Sequence, residues 1–165
     1  MARKPNKAAK YPQPSSPEVS FRMQRNTKTN TGPETRVRSE LRRRGHHFDS
    51  NRLINVGTLR VRPDLVYLQA RLAVFIDGCF WHSCPIHGNI PKVNRRYWSP
   101  KLQRTAIRDG LIVAKLSSGG WAVLRLWEHD PTETAARKIE LTLLGITHRT
   151  SHARRGRHLD APSHA

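Results

Sequence analysis

The chain has 165 residues, enough for one domain with arms and a real hydrophobic core. Its 30 Lys+Arg against 12 Asp+Glu give a formal net charge of +18 and a pI of about 11.4, which calls for a polyanionic partner, nucleic acid first. No stretch approaches the roughly 18 apolar residues of a spanning helix, and two cysteines are too few for a disulfide framework.

Residues 1–19 are rich in Lys, Pro, Ala and Ser and are expected to form a disordered basic arm. Without an apolar leader there, the expected location is cytoplasmic, at the nucleoid, with no membrane partner. Residues 1–44 carry twelve Lys/Arg against three Glu, half of the net charge. Pro33 and Glu34 open a predicted helix that carries Val37 and Leu41 and stops at Gly45. Residues 58–68 and 71–81 read as two strands joined at Gln69-Ala70. Ser99-Pro100 then opens a long helix ending at Gly119-Gly120, and Trp121 to Trp127 reads as a third strand. Asp130-Pro131-x-Glu133 looks like a helix start, with the helix running to about Leu144 before Gly145. From Thr147 the chain is basic and almost without apolar residues, so 147–165 is expected to be a second disordered tail. The order α, β, β, α, β, α predicts a small α/β domain over residues 20–146, the long helix crossing over to a parallel strand.

The densest chemistry lies in Val74-Phe-Ile-Asp-Gly-Cys-Phe-Trp-His-Ser-Cys-Pro-Ile-His87. An apolar strand there delivers adjacent aromatics, the His82 imidazole, and a Cys84-x-x-His87 pair at metal-ligand spacing, while Cys79 reads as a small buried hydrophobe. Upstream, Arg62-Pro63-Asp64 sets a carboxylate at the start of an apolar run. Pro-Asp before apolar residues also marks an ordinary turn. His82 just past the partner strand favours a Mg²⁺ site at Asp64, with the imidazole as general base for water. Asp77 could join the metal shell or make a solvent or turn contact.

Arg62-Pro63-Asp64, the 74–82 run, Cys84-Pro-x-His87, Trp127-Glu128-His129, Ser20-x-x-Met23 and Thr31-x-Pro33-Glu34 together resemble the very-short-patch-repair (Vsr) DNA mismatch endonucleases over about residues 20–130. The resemblance implies a restriction-endonuclease-like (PD-(D/E)xK-type) three-layer α/β core with a structural zinc site, Mg²⁺-dependent cleavage, and duplex DNA with a T:G mismatch as substrate. By position it implies Asp64 as the metal-binding carboxylate, Ile76 as a backbone-carbonyl ligand, His82 as the base, and Glu34 as an acidic helper acting through water. The superfamily's Glu-x-Lys is absent; Ile76-Asp77-Gly78 stands there, in keeping with a branch that uses histidine instead of lysine.

For zinc, Cys84 and His87 supply two ligands, and His129 just past the third strand a third. On the 99–118 helix Leu102, Ala106, Asp109, Val113 and Leu116 share a face, so Asp109 falls on an apolar stripe. A bound cation explains it, giving the set Cys84, His87, Asp109, His129; an Arg partner or a different helix phase is the alternative. Phe80, Trp81 and Trp98, the last beside Arg95 and Arg96, are candidate DNA-facing wedges and contacts, and Met23 resembles a further wedge. Trp121 and Trp127 read as core. The reading is a monomeric mismatch-nicking endonuclease working with mismatch-repair accessory proteins. The rivals are a Vsr-like restriction or defence nuclease of other specificity and a non-catalytic zinc-stabilised DNA-binding module.

Overall fold

In the computed structural model, which describes residues 16–24 and 30–156, ten elements follow in order: α1 (Pro17–Gln24), α2 (Gly32–Arg43), β1 (Asp49–Ser50), β2 (Ile54–Val56), β3 (Leu59–Val61), β4 (Leu65–Tyr67), β5 (Leu72–Asp77), α3 (Arg95–Ser118), β6 (Ala122–Trp127) and α4 (Thr132–Gly156). Most of the expected N-terminal arm lies outside the described residues, as do residues 157–165.

The main sheet has the order β1-β4-β5-β6. Its β4 and β5 are antiparallel, with Leu65 opposite Val74, and β5 and β6 are parallel from Leu72–Ala122 to Asp77–Trp127. A separate hairpin pairs β2 with β3. Because side chains alternate across a strand, the sheet has two apolar faces. Leu65, Tyr67, Leu72, Val74 and Leu126 pack on Val37 and Leu41 of α2 and on Ala135, Ala136 and Ile139 of α4. Val66 and Ala73 pack on Leu116 of α3 and on Ile54 and Val61 of the hairpin, with Phe75 and Val123 alongside. The result is three layers, with helices covering both faces of the sheet.

Several boundaries differ from the sequence reading: α1 begins at Pro17, within the arm expected to be disordered, and the strand expected over 71–81 ends at Asp77, where the turn closed by His82 N–H on Gly78 O follows. The strand expected over 58–68 is two strands in two sheets, because Pro63 has no N–H to give a ladder and sits buried at the break; pairing resumes at Asp64, whose N–H donates to Val74 O at 2.9 Å. Helix α3 begins four residues before Ser99, with Tyr97 and Trp98 N–H donating to Asn94 O, and carries Pro100 inside it. Burial of Trp98 and Leu102 outweighs the lost bond. Helix α4 runs through Gly145 to Gly156, well into the expected tail. Glycine costs about 1 kcal/mol in a helix interior, less than the packing of Leu143 and Ile146 against the core on either side of it returns.

Truncation should separate core from surface. Leu126→Ala, at a side chain 1% exposed, is expected to lower unfolding free energy by about 2–5 kcal/mol in urea titration. Leu144→Ala, at an exposed position on α4, should change it by no more than about 0.5 kcal/mol.

Candidate active site and metal centre

The functional side chains gather at the C-terminal ends of the parallel strands β5 and β6 and at the start of β4. Asp64, on the residue preceding β4, is half-buried, and its Oδ2 accepts the Ile76 N–H at 2.7 Å. Burial is the main influence on its carboxyl. With the nearby charges of Glu34 and Asp77 it outweighs the Ile76 amide and Arg38, and the group is pushed up to about 6. Among the described residues no basic side chain pairs with it directly; the nearest guanidinium to act on it, Arg38, is bound to Glu34.

Glu34 lies on the first turn of α2, only 4% exposed, where a carboxylate suits the helix dipole. It accepts hydrogen bonds from Asn30 N–H (2.9 Å), the Thr31 hydroxyl (3.0 Å) and the Arg38 guanidinium (2.5 Å), and Arg38 also donates to Asn30 Oδ1. This fixes its position beside Asp64.

His82 follows β5 on a turn closed by its own N–H to Gly78 O at 3.1 Å. Its Nδ1 is 2.5 Å from Asp109 Oδ2, and an Nδ1–H donated there leaves Nε2 as the proton acceptor. Burial alone would raise the Asp109 carboxyl, but the His82 and Arg125 contacts outweigh it and hold the group below the usual carboxylate range. Asp77 is 5% exposed and takes a two-point hydrogen bond from Arg125, Nε to Oδ2 at 2.6 Å and Nη2 to Oδ1 at 2.7 Å. Its carboxylate is thus engaged with Arg125 and shielded from bulk water.

The metal cluster differs in one ligand from the expected set. Cys79 Sγ, Cys84 Sγ and the His87 and His129 rings present ligand atoms all within 4.8 Å of one another. His129 Nδ1 stands 3.0 Å from Cys79 Sγ, 3.7 Å from Cys84 Sγ and 3.2 Å from His87 Nδ1. Donors on a tetrahedron with bonds of about 2.0–2.3 Å are spaced roughly 3.3–3.8 Å apart, so four side chains at these separations can hold one metal ion. Asp109 is not among them. The carboxylate on the apolar stripe of α3 is satisfied by His82, Arg125 and Arg108. Cys79 takes the fourth place in this candidate set, while being buried as expected. The signal for it was the second spacing, Cys79-x₄-Cys84-x₂-His87.

The two thiols act on each other. Burial is the largest influence pushing the Cys79 thiol up, to about 12, and the neighbouring Cys84 adds to it. The Cys84 thiol is lowered: burial is outweighed by backbone N–H groups of His87, Ile86 and Gly88 and by the Cys79 thiol. One thiolate opposes the other unless a cation sits between them. The loop closes tightly, with Gly88 N–H on Cys84 O at 2.6 Å, and a Cβ at Gly88 would collide with that same carbonyl oxygen. Glu128, quoted in the Trp127-Glu128-His129 motif but given no role there, accepts the Cys79 N–H at 2.6 Å.

Phe80 and Trp81 are partly exposed and pack edge-to-face on each other and on Trp98, with centroids 5.0–5.9 Å apart. Trp98 is not on the surface as expected; at 6% exposure it is the buried floor of this cluster. Lys101 Nζ lies 5.2–5.3 Å from the Trp81, Tyr97 and Trp98 rings. Arg95 and Arg96 are exposed on the first turn of α3. Trp121 and Trp127 are partly buried, Trp127 stacking on His129. Met23 falls on α1, but its side chain lies outside the described residues.

A half-buried carboxylate without a basic partner, a histidine held by an aspartate and a Cys/His cluster on a strongly basic chain are groups suited to hydrolysis on a nucleic acid. Residues 15–87 match the model of the family described as DNA mismatch endonuclease Vsr. The type II nicking enzyme V.NaeI of Lentzea aerocolonigenes is 42% identical, over 84% of this chain and 84% of its own. The type II nicking enzyme V.XorIIP of Xanthomonas oryzae is 37% identical, over 73% of this chain and 87% of its own. The DNA mismatch endonuclease Vsr of Escherichia coli K12 is 32% identical, over 59% and 61%. The chain belongs to the Vsr family and is a DNA endonuclease. No helix among the described residues is long and apolar enough to cross a membrane.

The two ligand sets are separable by metal analysis. Cys79→Ala should bring the purified protein's zinc from about one equivalent toward zero and lower its Tm, whereas Asp109→Ala should keep the metal. Loss of metal in Asp109→Ala with retention in Cys79→Ala would restore the carboxylate as ligand.

Proposed function

We propose that the chain is a Mg²⁺-dependent endonuclease that nicks one strand of duplex DNA at T:G mismatches, opening very short patch repair. The observation that carries this reading is a half-buried carboxylate without a basic partner just before β4, Asp64, on a chain that also holds an imidazole oriented by Asp109 on the turn after β5. A DNA-binding module that only binds needs neither. The three-layer α/β core is read as restriction-endonuclease-like.

Asp64 and the Ile76 carbonyl would hold Mg²⁺, a hard cation suited to oxygen donors. The ion supplies electrostatic stabilisation of the phosphate as charge develops on it. The protein handles the proton. His82 Nε2 accepts it from the attacking water, and Asp109 stabilises the imidazolium that forms, as a carboxylate does behind any catalytic histidine. Glu34, fixed by Arg38 and Asn30, orients ordered water beside Asp64. Zinc in the Cys79, Cys84, His87, His129 set would be structural, because four protein ligands close the shell.

Recognition falls to the aromatic cluster. Phe80 and Trp81 act as wedges on the Trp98 floor, Met23 adds a further wedge, and Arg95 and Arg96 take phosphates. A T:G wobble is cheaper to unstack than a correct pair, so wedges convert poor pairing into selectivity. We place the enzyme in the cytoplasm at the nucleoid, as a monomer working with mismatch-repair accessory proteins. A second reading, nicking tied to a restriction system with a different sequence context, is favoured by the names of relatives such as V.NaeI and V.XorIIP.

End-labelled duplexes with a T:G mismatch, the paired control and other mismatches, each with Mg²⁺, test the proposal. Wild type should nick the T:G duplex in preference to the others. Asp64→Ala should abolish nicking with duplex affinity largely kept, since phosphate contacts supply most of it. Equal rates on all duplexes would overturn the mismatch reading, and nicking by Asp64→Ala at the wild-type rate would overturn the site.

A further inference from the structure

Arg125 sits in the middle of the parallel strand β6, between Leu124 and Leu126, where an aliphatic residue would serve the sheet. It projects to the α3 side, its guanidinium 5.4 Å from the centre of the Phe75 ring, the residue opposite it on β5. Its Nε and Nη2 grip Asp77 with two short bonds. The same Nη2 lies 3.1 Å from Asp109 Oδ2 and 3.1 Å from His82 Nδ1. Since Nδ1 donates to Asp109, the contact between Nη2 and Nδ1 is proximity rather than a hydrogen bond, and the two Nη2 protons go to the two carboxylates. Asp77 Oδ1 is itself 3.6 Å from His82 Nδ1.

Two carboxylates from different elements, β5 and α3, therefore meet at one imidazole nitrogen. Left to themselves they would repel each other across it. Either could also take the ring's N–H, tilting the imidazole toward one wall or the other. The guanidinium bridges both and is only partly exposed, so the bridge works where water screens little. We infer that Arg125 is a positioning residue: it locks Asp77 away from the ring and holds Asp109 on His82 Nδ1, so that Nε2 points at the reacting phosphate. The inference rests on His82 being the base. A planar fork can span the two carboxylates in this way; a lysine ammonium, a point charge, can balance one of them but not orient both.

The test uses full-length protein and three readouts: Tm, duplex Kd, and the single-turnover nicking rate at saturating enzyme. Arg125→Met alone leaves Asp77 buried without its cation and is expected to destabilise the fold. The informative variants are therefore Asp77→Asn/Arg125→Met, which removes both charges together, and Arg125→Lys. Both should keep Tm and Kd close to wild type and lower the nicking rate about 10- to 100-fold. A wild-type rate in either folded variant would overturn the role, as would a rate loss matched by an equal loss of duplex affinity. Unfolding of both assigns Arg125 to the fold alone and overturns it too. His82→Ala run alongside separates the two levels. If it nicks at the wild-type rate, the base assignment falls; if it is inactive while both Arg125 variants are normal, only the role of Arg125 falls.

Discussion

The parallel pairing of β5 with β6 is the constraint on which both sites depend. Its register sets Asp77 opposite Trp127, and the ladder continues one step further as Glu128 N–H donates to Asp77 O at 2.9 Å. Two loops that are far apart in sequence therefore leave the sheet side by side. The 78–88 loop brings Cys79, His82, Cys84 and His87, and the 128–130 turn brings Glu128 and His129. Asp130 Oδ2 closes that turn by accepting the Trp127 N–H, and Lys138 holds its other oxygen. A slip of one residue would send every β6 side chain to the opposite face. His129 would then leave the thiols, Arg125 would enter the apolar layer against α2 and α4, and Leu126 would be driven into the polar pocket. Burial of Leu124, Leu126 and Val123 on their proper faces is what makes the slip costly, so the apolar pattern of one strand sets the geometry of the chemistry at its end.

Charge is divided between the two jobs of the molecule. With only 12 Asp+Glu in the chain, it is informative that Glu34, Asp64, Asp77, Asp109 and Glu128 all lie at this end of the sheet. An acidic pocket in a strongly basic protein does not repel the whole DNA, because the field at a distance is set by the net charge. Close in, the pocket selects what enters. Arg38 is set against Glu34, Arg125 against Asp77 and His82 against Asp109, whereas Asp64 and Glu128 each accept a backbone N–H. Of these two, Asp64 is the one that burial and the neighbouring carboxylates push up, which is why it is the carboxylate assigned to a cation in the proposed function.

How much of this was legible in the residues depended on whether the signal was local. Helix α2 between Pro33 and Gly45, strand β5, strand β6 and the pairing of the strands flanking Gln69-Ala70 all follow from short-range pattern. So do Asp64 and His82 as neighbours of one β-hairpin. The break at Pro63 was written in the chain, but the 58–68 run is apolar enough on both sides to read as one strand. The extent of α4 past Gly145 was not local: Leu143 and Ile146 find the core only in three dimensions. Asp109 shows the limit most clearly. Its place on the apolar face of α3 was correctly read as demanding a partner, yet periodicity gives a direction and not the identity of what waits there. The partner came from β6 and from the loop after β5, and Cys79, which leaves the same strand three residues before His82, joins Cys84, His87 and His129 in the candidate metal cluster.

That spacing ties the metal clasp to the base. The loop from Gly78 to Gly88 is held by three backbone bonds, His82 to Gly78, Cys84 to Cys79 and Gly88 to Cys84, which by themselves leave its far end dependent on few contacts. Cys79 and Cys84 bracket His82 on either side, and His129 anchors from another strand. A cation gripping all four ligands would therefore fix both ends of the short segment that carries Phe80, Trp81 and His82, before any DNA arrives. Ordering a residue's backbone costs about 1–2 kcal/mol, and a loop ordered in advance does not incur that cost in the transition state. On the proposed reading the wedges and the base would then share one frame, since Phe80, Trp81 and His82 lie on the same short segment, the first two packed on Trp98 and the third on Asp109. Recognition of a poorly stacked base step and alignment of the base with the phosphate would, on that reading, be a single mechanical event.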